Sequence, residues 1–127
     1  MTKDRLKAEL FYRWIRLSQE GISVESLLLD KGMKNICIYG FDIMGECLLY
    51  ELENSAIDIR FFIDKTGERK FVDFPIYTLD EAKSQDYSAV DGIIVSPVDD
   101  YERITSDLKK HGINVKIVSL EDLLYEI

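Results

Sequence analysis

From residue 35 onward the sequence predicts a mixed α/β domain built on a parallel sheet. Three observations carry this. Apolar runs of strand length recur at residues 36–39, 57–63, 90–95 and 115–118. Segments of about ten residues with helical apolar spacing separate them, and strands alternating with helices fold as parallel βαβ units. Gly40 follows the first run directly, and Gly45 stands in the opening turn of the next helix.

The elements follow in chain order. Leu6, Leu10, Trp14 and Leu17 recur at helical spacing, with Phe11 beside them, so the first twenty or so residues read as a helix ended by Gly21. Ser23 is placed to cap a short helix over residues 24–30, with Ile22 and Leu27 as its hydrophobic staple. Residues 36–39 are the first strand. Met44, Gly45, Leu48, Leu49 and Leu52 share one face of the following helix. In residues 57–63, Ile57, Ile59, Phe61 and Ile63 alternate with Asp58, Arg60 and Phe62, a period-two strand with a partly polar face. Residues 75–77 make a short, poor edge strand. Thr78 and Glu81 have capping-box spacing for a helix to about Gln85.

Residues 90–95 are the next strand. Ser96-Pro97 then reads as a helix start, since proline is tolerated in the first turn. That helix turns Tyr101, Ile104 and Leu108 inward and stops at Gly112. Residues 115–118 are the last strand, and Ser119 caps a final helix. The apolar runs at 36–39 and 90–95 belong in the covered centre of the sheet. With right-handed crossovers, the strand order is then 3-2-1-4-5, a Rossmann-like arrangement over residues 35–127 with a helical extension at residues 1–34.

Composition narrows the function. Of 127 residues, 46% are hydrophobic and 31% charged, ordinary values for a soluble domain. The net charge of −8, with Lys and Arg scattered, repels an anionic polymer, so nucleic-acid binding is not expected. No run approaches the ~18 apolar residues of a membrane span. The N-terminus lacks the apolar core of a signal peptide. Cys37 and Cys47 have neither metal spacing nor a disulfide pattern, and together these features point to the cytoplasm.

The chemistry-bearing segment is Gly40-Phe41-Asp42-Ile43-Met44-Gly45, after a strand and opening a helix, the context of a G-x-G-x-x-G phosphate loop. The first glycine of that motif makes the turn, the second lets backbone approach a pyrophosphate, and the third lets helix and sheet pack. Gly40 and Gly45 hold the first and third places, while Asp42 stands at the second. Its carboxylate can cap the helix and so occupy the anion site at the helix N-terminus. Asp64, ending the second strand, stands where a ribose-binding carboxylate belongs, and also where an Asp would start the turn Lys65-Thr66-Gly67. Gly40, Phe41, Asp42, Gly45, Asp64 and Ser96 are the candidate cofactor-binding residues. Asp99 and Asp100 fit the first turn of the following helix. With Asp42 and Asp64 they make the carboxyl edge of the sheet acidic, which opposes a free pyrophosphate unless a divalent ion intervenes. A receiver-like magnesium site would need paired acids directly after the first strand and a phosphoacceptor after the third, where this chain has Thr78. His111, the only histidine, lies beside Lys109 and Lys110 at a helix end, a poor place for a general base.

The runs Ile36-Cys-Ile-Tyr-Gly40, Phe62-Ile63-Asp64-Lys65, Phe74-Pro75-Ile76-Tyr77 and Gly92-Ile93-Ile94-Val95-Ser96 resemble small bacterial Rossmann-like domains that accompany surface-polysaccharide enzymes. One version is the N-terminal nucleotide-sugar-binding domain of sialic-acid and bacillosamine-type sugar acyltransferases. The resemblance runs from about Asn35 to Ile127. It implies nucleotide contacts at Gly40, Gly45 and Asp64, and Asp42 departs from the pattern. The catalytic left-handed β-helix of those acyltransferases is absent from this sequence.

The expectation is therefore a non-catalytic accessory protein that binds a nucleotide or nucleotide-sugar, in polysaccharide biosynthesis, through a degenerate loop. The alternative is a scaffold with a closed cleft that acts through its N-terminal helix. A third reading, an NAD(P)-dependent oxidoreductase component, lacks a substrate domain and an evident acid or base. Leu6, Leu10, Phe11, Trp14 and Ile15 span more of the first helix than a narrow stripe, which points to a homodimer through that helix.

Overall fold

The computed structural model describes residues 2–66, 74–97 and 99–126. They form helices α1 (Lys3–Gln19), α2 (Val24–Asp30), α3 (Ile43–Leu52), α4 (Leu79–Ala82), α5 (Tyr101–Lys110) and α6 (Leu120–Tyr125). The strands are β1 (Asn35–Tyr39), β2 (Asp58–Ile63), β3 (Ile76–Tyr77), β4 (Gly92–Val95) and β5 (Ile117–Ser119). All pairings are parallel and the order is β3-β2-β1-β4-β5, a Rossmann-like α/β sheet. No described helix is long and apolar enough to cross a membrane.

Side-chain alternation on the strands divides the core into two layers. Ile36, Ile38 and Ile94 pack with Leu10, Trp14, Leu17, Leu28, Leu48 and Leu124, on the side of α1, α2, α3 and α6. Cys37, Tyr39, Ile93 and Val95 pack with Ala82, Ile104 and Leu108, on the side of α4 and α5. The N-terminal helices thus share a core with the sheet. Glu51 of α3 fastens them: its Oε1 accepts the Trp14 indole N–H (2.8 Å) and its Oε2 accepts the Val24 backbone N–H (3.0 Å). Arg13 donates to the Leu124 carbonyl (3.0 Å) and lies over the Tyr125 ring, joining α1 to α6.

Strand β2 departs from strict alternation. Ile36 pairs with Ile59 and Ile38 with Phe62, so Arg60 and Phe61 together oppose Cys37. This bulge turns Phe62 onto the same side as Ile59, where the expected period would have set it beside Asp58 and Arg60. Phe62 is fully buried there, edge-to-face with Phe41 at 5.0 Å between ring centroids. The bulge lets β2 bury both faces, as its place between β3 and β1 requires.

Four element boundaries also differ from expectation by two residues or more. Helix α5 begins at Tyr101, not at Ser96-Pro97. The Ser96 backbone N–H donates to the Tyr39 carbonyl (3.0 Å) and its hydroxyl donates to the same oxygen (2.9 Å), which holds the chain extended past β4. Helix α4 has its capping box at Thr78 and Glu81 but stops at Ala82 rather than Gln85. Tighter bonds from Ser84 to Glu81 and Gln85 to Ala82 close it, and the Tyr87 hydroxyl donates to the Ala82 carbonyl (2.8 Å). Strands β4 and β5 each start about two residues later than expected. Val90 is spent in a turn onto Tyr87, and the Lys116 carbonyl accepts from Ile93 N–H at the foot of β5.

At the opposite end of the sheet from Gly40, the Asp91 carboxylate accepts the backbone N–H groups of Lys34 (2.9 Å) and Asn35 (2.8 Å). These bonds hold its pKa below the ordinary 3.8. The folded state therefore prefers the ionised form. The stabilisation is complete above the ordinary value and is lost as pH falls through the lower folded one. Urea unfolding across the acid range should show the wild type losing stability more steeply below about pH 4 than Asp91→Asn does.

Candidate functional site

The carboxyl ends of β1 and β4 lie where the strand order reverses, the place at which open α/β sheets form their ligand crevice. The loop after β1 is built by two glycines. Gly40 has φ +99°, and a Cβ there would lie 2.5 Å from Ser96 Oγ and 2.8 Å from Pro97 Cδ. A Cβ on Gly45 would lie 2.1 Å from the Gly40 carbonyl oxygen, a backbone atom with no room to yield. Helix α3 thus sits directly on the end of β1. Both glycines are required by the protein's own packing.

The structure brings all six candidate residues together. Asp42 is the N-cap of α3, and its Oδ1 accepts the Gly45 N–H at 3.0 Å. Ser96 Oγ is 3.4 Å from the same oxygen and 3.2 Å from the Gly40 carbonyl. Asp64 Oδ2 accepts the Phe41 N–H at 2.8 Å, while its Oδ1 accepts the Thr66 N–H (3.0 Å) and hydroxyl (2.7 Å). Asp64 therefore both starts a turn and ties the glycine loop to the end of β2; Gly67 of that turn lies outside the described residues. Phe41 sends its ring into the core, 6% exposed, so only its backbone faces the crevice.

Two loop amides that would face a phosphate are thus bonded to the protein's own carboxylates. This follows from where helices and anions meet: an N-terminus with free N–H groups attracts negative charge, and Asp42 supplies it from within the chain. The cavity beside Asp42 is about 120 Å³, lined by Lys7, Phe11, Asp42, Ile43 and Met44, below the ~300–1,000 Å³ of ordinary ligand pockets.

The remaining acidic residues of this edge carry partners. Asp99 pairs with Lys3 at 3.3 Å. Asp100 precedes α5, but its side chain makes no capping bond. It pairs instead with Arg103 at 3.0 Å, and that hydrogen bond lowers its pKa. The edge is therefore less acidic than the sequence suggests. Lys3 was not legible as a partner, because it lies at the other end of the chain from Asp99. Among the described residues no three His, Cys, Asp or Glu side chains gather as a metal site. His111 is the C-cap of α5, its Nδ1 2.7 Å from the Asp107 carbonyl, and its Nε2 lies 3.6 Å from Asp80. Burial pushes the Cys37 thiol up to about 12, so it stays protonated and inert at neutral pH.

Tyr39, the last residue of β1, was missed by the sequence reasoning. It is 3% exposed and its hydroxyl has no hydrogen-bond partner among the described residues. Burial raises its pKa. In a strand of apolar residues nothing distinguishes it from a core aromatic.

No known protein-family profile matches the chain, and neither a curated protein nor a solved structure is significantly similar to it.

The loop geometry sets two expectations for stability. Gly45→Ala, which would ordinarily favour a helix, should instead cost about 3 kcal/mol, because the methyl group meets the Gly40 carbonyl. Asp42→Ala should cost about 1 kcal/mol and Asp42→Gly only a few tenths. Urea midpoints on the three variants measure both; a Gly45→Ala protein as stable as wild type would contradict the close approach.

Proposed function

We infer that this chain is a non-catalytic interaction module: a Rossmann-like domain whose phosphate loop is closed by its own carboxylates and which works by associating with protein through its N-terminal helix. One observation carries the reading. The Gly45 and Phe41 N–H groups, two of the donors around the head of α3, are already bonded to Asp42 and Asp64. An incoming pyrophosphate would have to displace two carboxylates that are tied at short range, and it would meet their charge while doing so. The exposed apolar side chains of α1 supply the complementary support, since a module without a ligand acts through its surface.

A second reading keeps this protein as a nucleotide- or nucleotide-sugar-binding accessory of polysaccharide synthesis. Two observations favour it: the crevice at the β1–β4 reversal, and the unpartnered Tyr39 hydroxyl at the end of β1. Either NAD(P) or a nucleotide-sugar carries the pyrophosphate such a loop would hold. The oxidoreductase reading is the weakest of the three, because both carboxylates of this site are engaged with the chain's own backbone N–H groups.

Titration calorimetry with UDP-N-acetylglucosamine and with NAD separates the readings. The wild type should bind neither at concentrations on the order of 1 mM. Asp42→Gly frees the Gly45 N–H, removes one negative charge and restores the second glycine of the motif, so it should gain weak binding in the millimolar range. Wild-type binding of either compound tighter than about 0.1 mM overturns the closed-loop reading in favour of the second.

A further inference from the structure

Helices α1 and α3 bound an apolar groove of about 330 Å³, lined by Phe11, Trp14, Ile15, Cys47, Tyr50 and Glu51. That volume reaches the ~300–1,000 Å³ of small-molecule sites, and the groove shares no residue with the glycine loop. Three of these side chains are aromatic. The Phe11 and Trp14 rings lie nearly parallel, 11° apart in plane, with centroids 6.3 Å apart. Trp14 is 8% exposed and fixed by its indole N–H, while Tyr50 is 64% exposed. The face of an aromatic ring carries the negative part of its quadrupole, so three rings in one groove favour a cation.

Glu51 is the one charged residue of that lining. Its two bonds come from neutral donors, the Trp14 indole and the Val24 backbone, so they orient its charge without cancelling it. The basic residues of α1 are engaged elsewhere. Lys3 is paired with Asp99 and Arg5 with Glu9, Arg13 reaches Leu124 on α6, Arg16 donates to Gln19, and Lys7 lines the smaller cavity beside Asp42. Burial pushes the Cys47 thiol up, and the charges that push it further are all carboxylates, Glu46, Asp42 and Glu51. The hydrogen bonds then select the kind of cation. A primary ammonium brings three N–H donors that need acceptors when it leaves water. Here each Glu51 oxygen already accepts one N–H, and the walls are mostly carbon and sulfur. A quaternary ammonium has no N–H to satisfy and asks only for charge and apolar contact.

We propose that the α1–α3 groove binds a small free organic cation bearing a quaternary ammonium group, of the choline type. Its methyl groups pack against Phe11, Ile15 and Tyr50, and its positive centre is held by the aromatic rings and the Glu51 carboxylate. Glu51 also joins Trp14 of α1 to the start of α2, so the ligand seats on the residue that fastens the N-terminal helices to α3. The proposal goes beyond the association reading and does not depend on it, because the groove is separate from the closed phosphate loop.

Amide chemical-shift titration of the isotope-labelled whole chain is the test. Choline and tetramethylammonium, added at constant ionic strength, should move the single Trp14 indole N–H signal and the amides of Ile15, Cys47 and Tyr50, saturating in the millimolar range. The carbon isostere of choline, in which a tert-butyl group replaces the trimethylammonium, has the shape without the charge and should bind at least tenfold more weakly. Tyr50→Ala, at an exposed position, should weaken choline at least threefold and leave signals remote from the groove in place. Glu51→Gln should weaken it at least tenfold; where that variant fails to fold, Tyr50→Ala and the neutral isostere decide. Absence of groove shifts at about 50 mM cation overturns the proposal. So does equal binding of the isostere, or undiminished binding by Tyr50→Ala. Phosphatidylcholine vesicles present the same ammonium group on a membrane and should leave the chain in the supernatant on sedimentation. Co-sedimentation overturns the free cation as ligand in favour of the lipid headgroup.

Discussion

The contact between Gly45 and the Gly40 carbonyl is the constraint from which the site follows. With no side chain at position 45, the first turn of α3 settles onto the end of β1 more closely than any other residue would permit. Close seating brings the Gly45 N–H of the helix and the Phe41 N–H of the loop to the same end of the sheet. Buried or half-buried N–H groups must be satisfied, and here the nearest acceptors are carboxylates of the same chain. Asp42 takes one from within the loop and Asp64 takes another from the end of β2. The two glycines of a phosphate motif and its closure thus have a common origin: a tight turn creates donors, and the chain meets them internally.

Much of the architecture was legible because it depends on short-range chemistry. The caps at Ser23, Asp42, Thr78 and Ser119 all accept N–H bonds in the helices they begin. Each is readable from a polar residue ahead of an apolar repeat. The strand order follows from which runs are apolar throughout. Two of the failures share one cause, namely contacts between residues distant in the sequence. Pro97 looked like a helix start because proline tolerates that place, yet Ser96 is held to β1 by bonds from its backbone and its hydroxyl. Phe62 looked outward by strict alternation, yet a bulge opposite Cys37 turns it into the core.

The site was legible in the same measure. The sequence located the loop, and the roles of Gly40, Gly45 and Asp42 could each be derived from backbone geometry and helix capping. Asp64 could not be assigned between a turn and a ribose contact, because its decisive partner is Phe41, on another strand's loop. The pairing of Lys3 with Asp99 was out of reach for the same reason. It joins the first residue of α1 to the loop after β4, so the N-terminal helix reaches the same sheet edge as the glycine loop.

The placement of Trp14 has a practical side. It is the chain's only tryptophan, it is 8% exposed, and its indole N–H rests on the Glu51 carboxylate beneath the groove between α1 and α3. Tryptophan emission depends on the polarity around the ring and on the hydrogen bond at its nitrogen. The tryptophan fluorescence of this protein therefore arises from one known position, in contact with three helices through Glu51. The molecule carries its own optical reporter, with no label to attach, in the groove between α1 and α3.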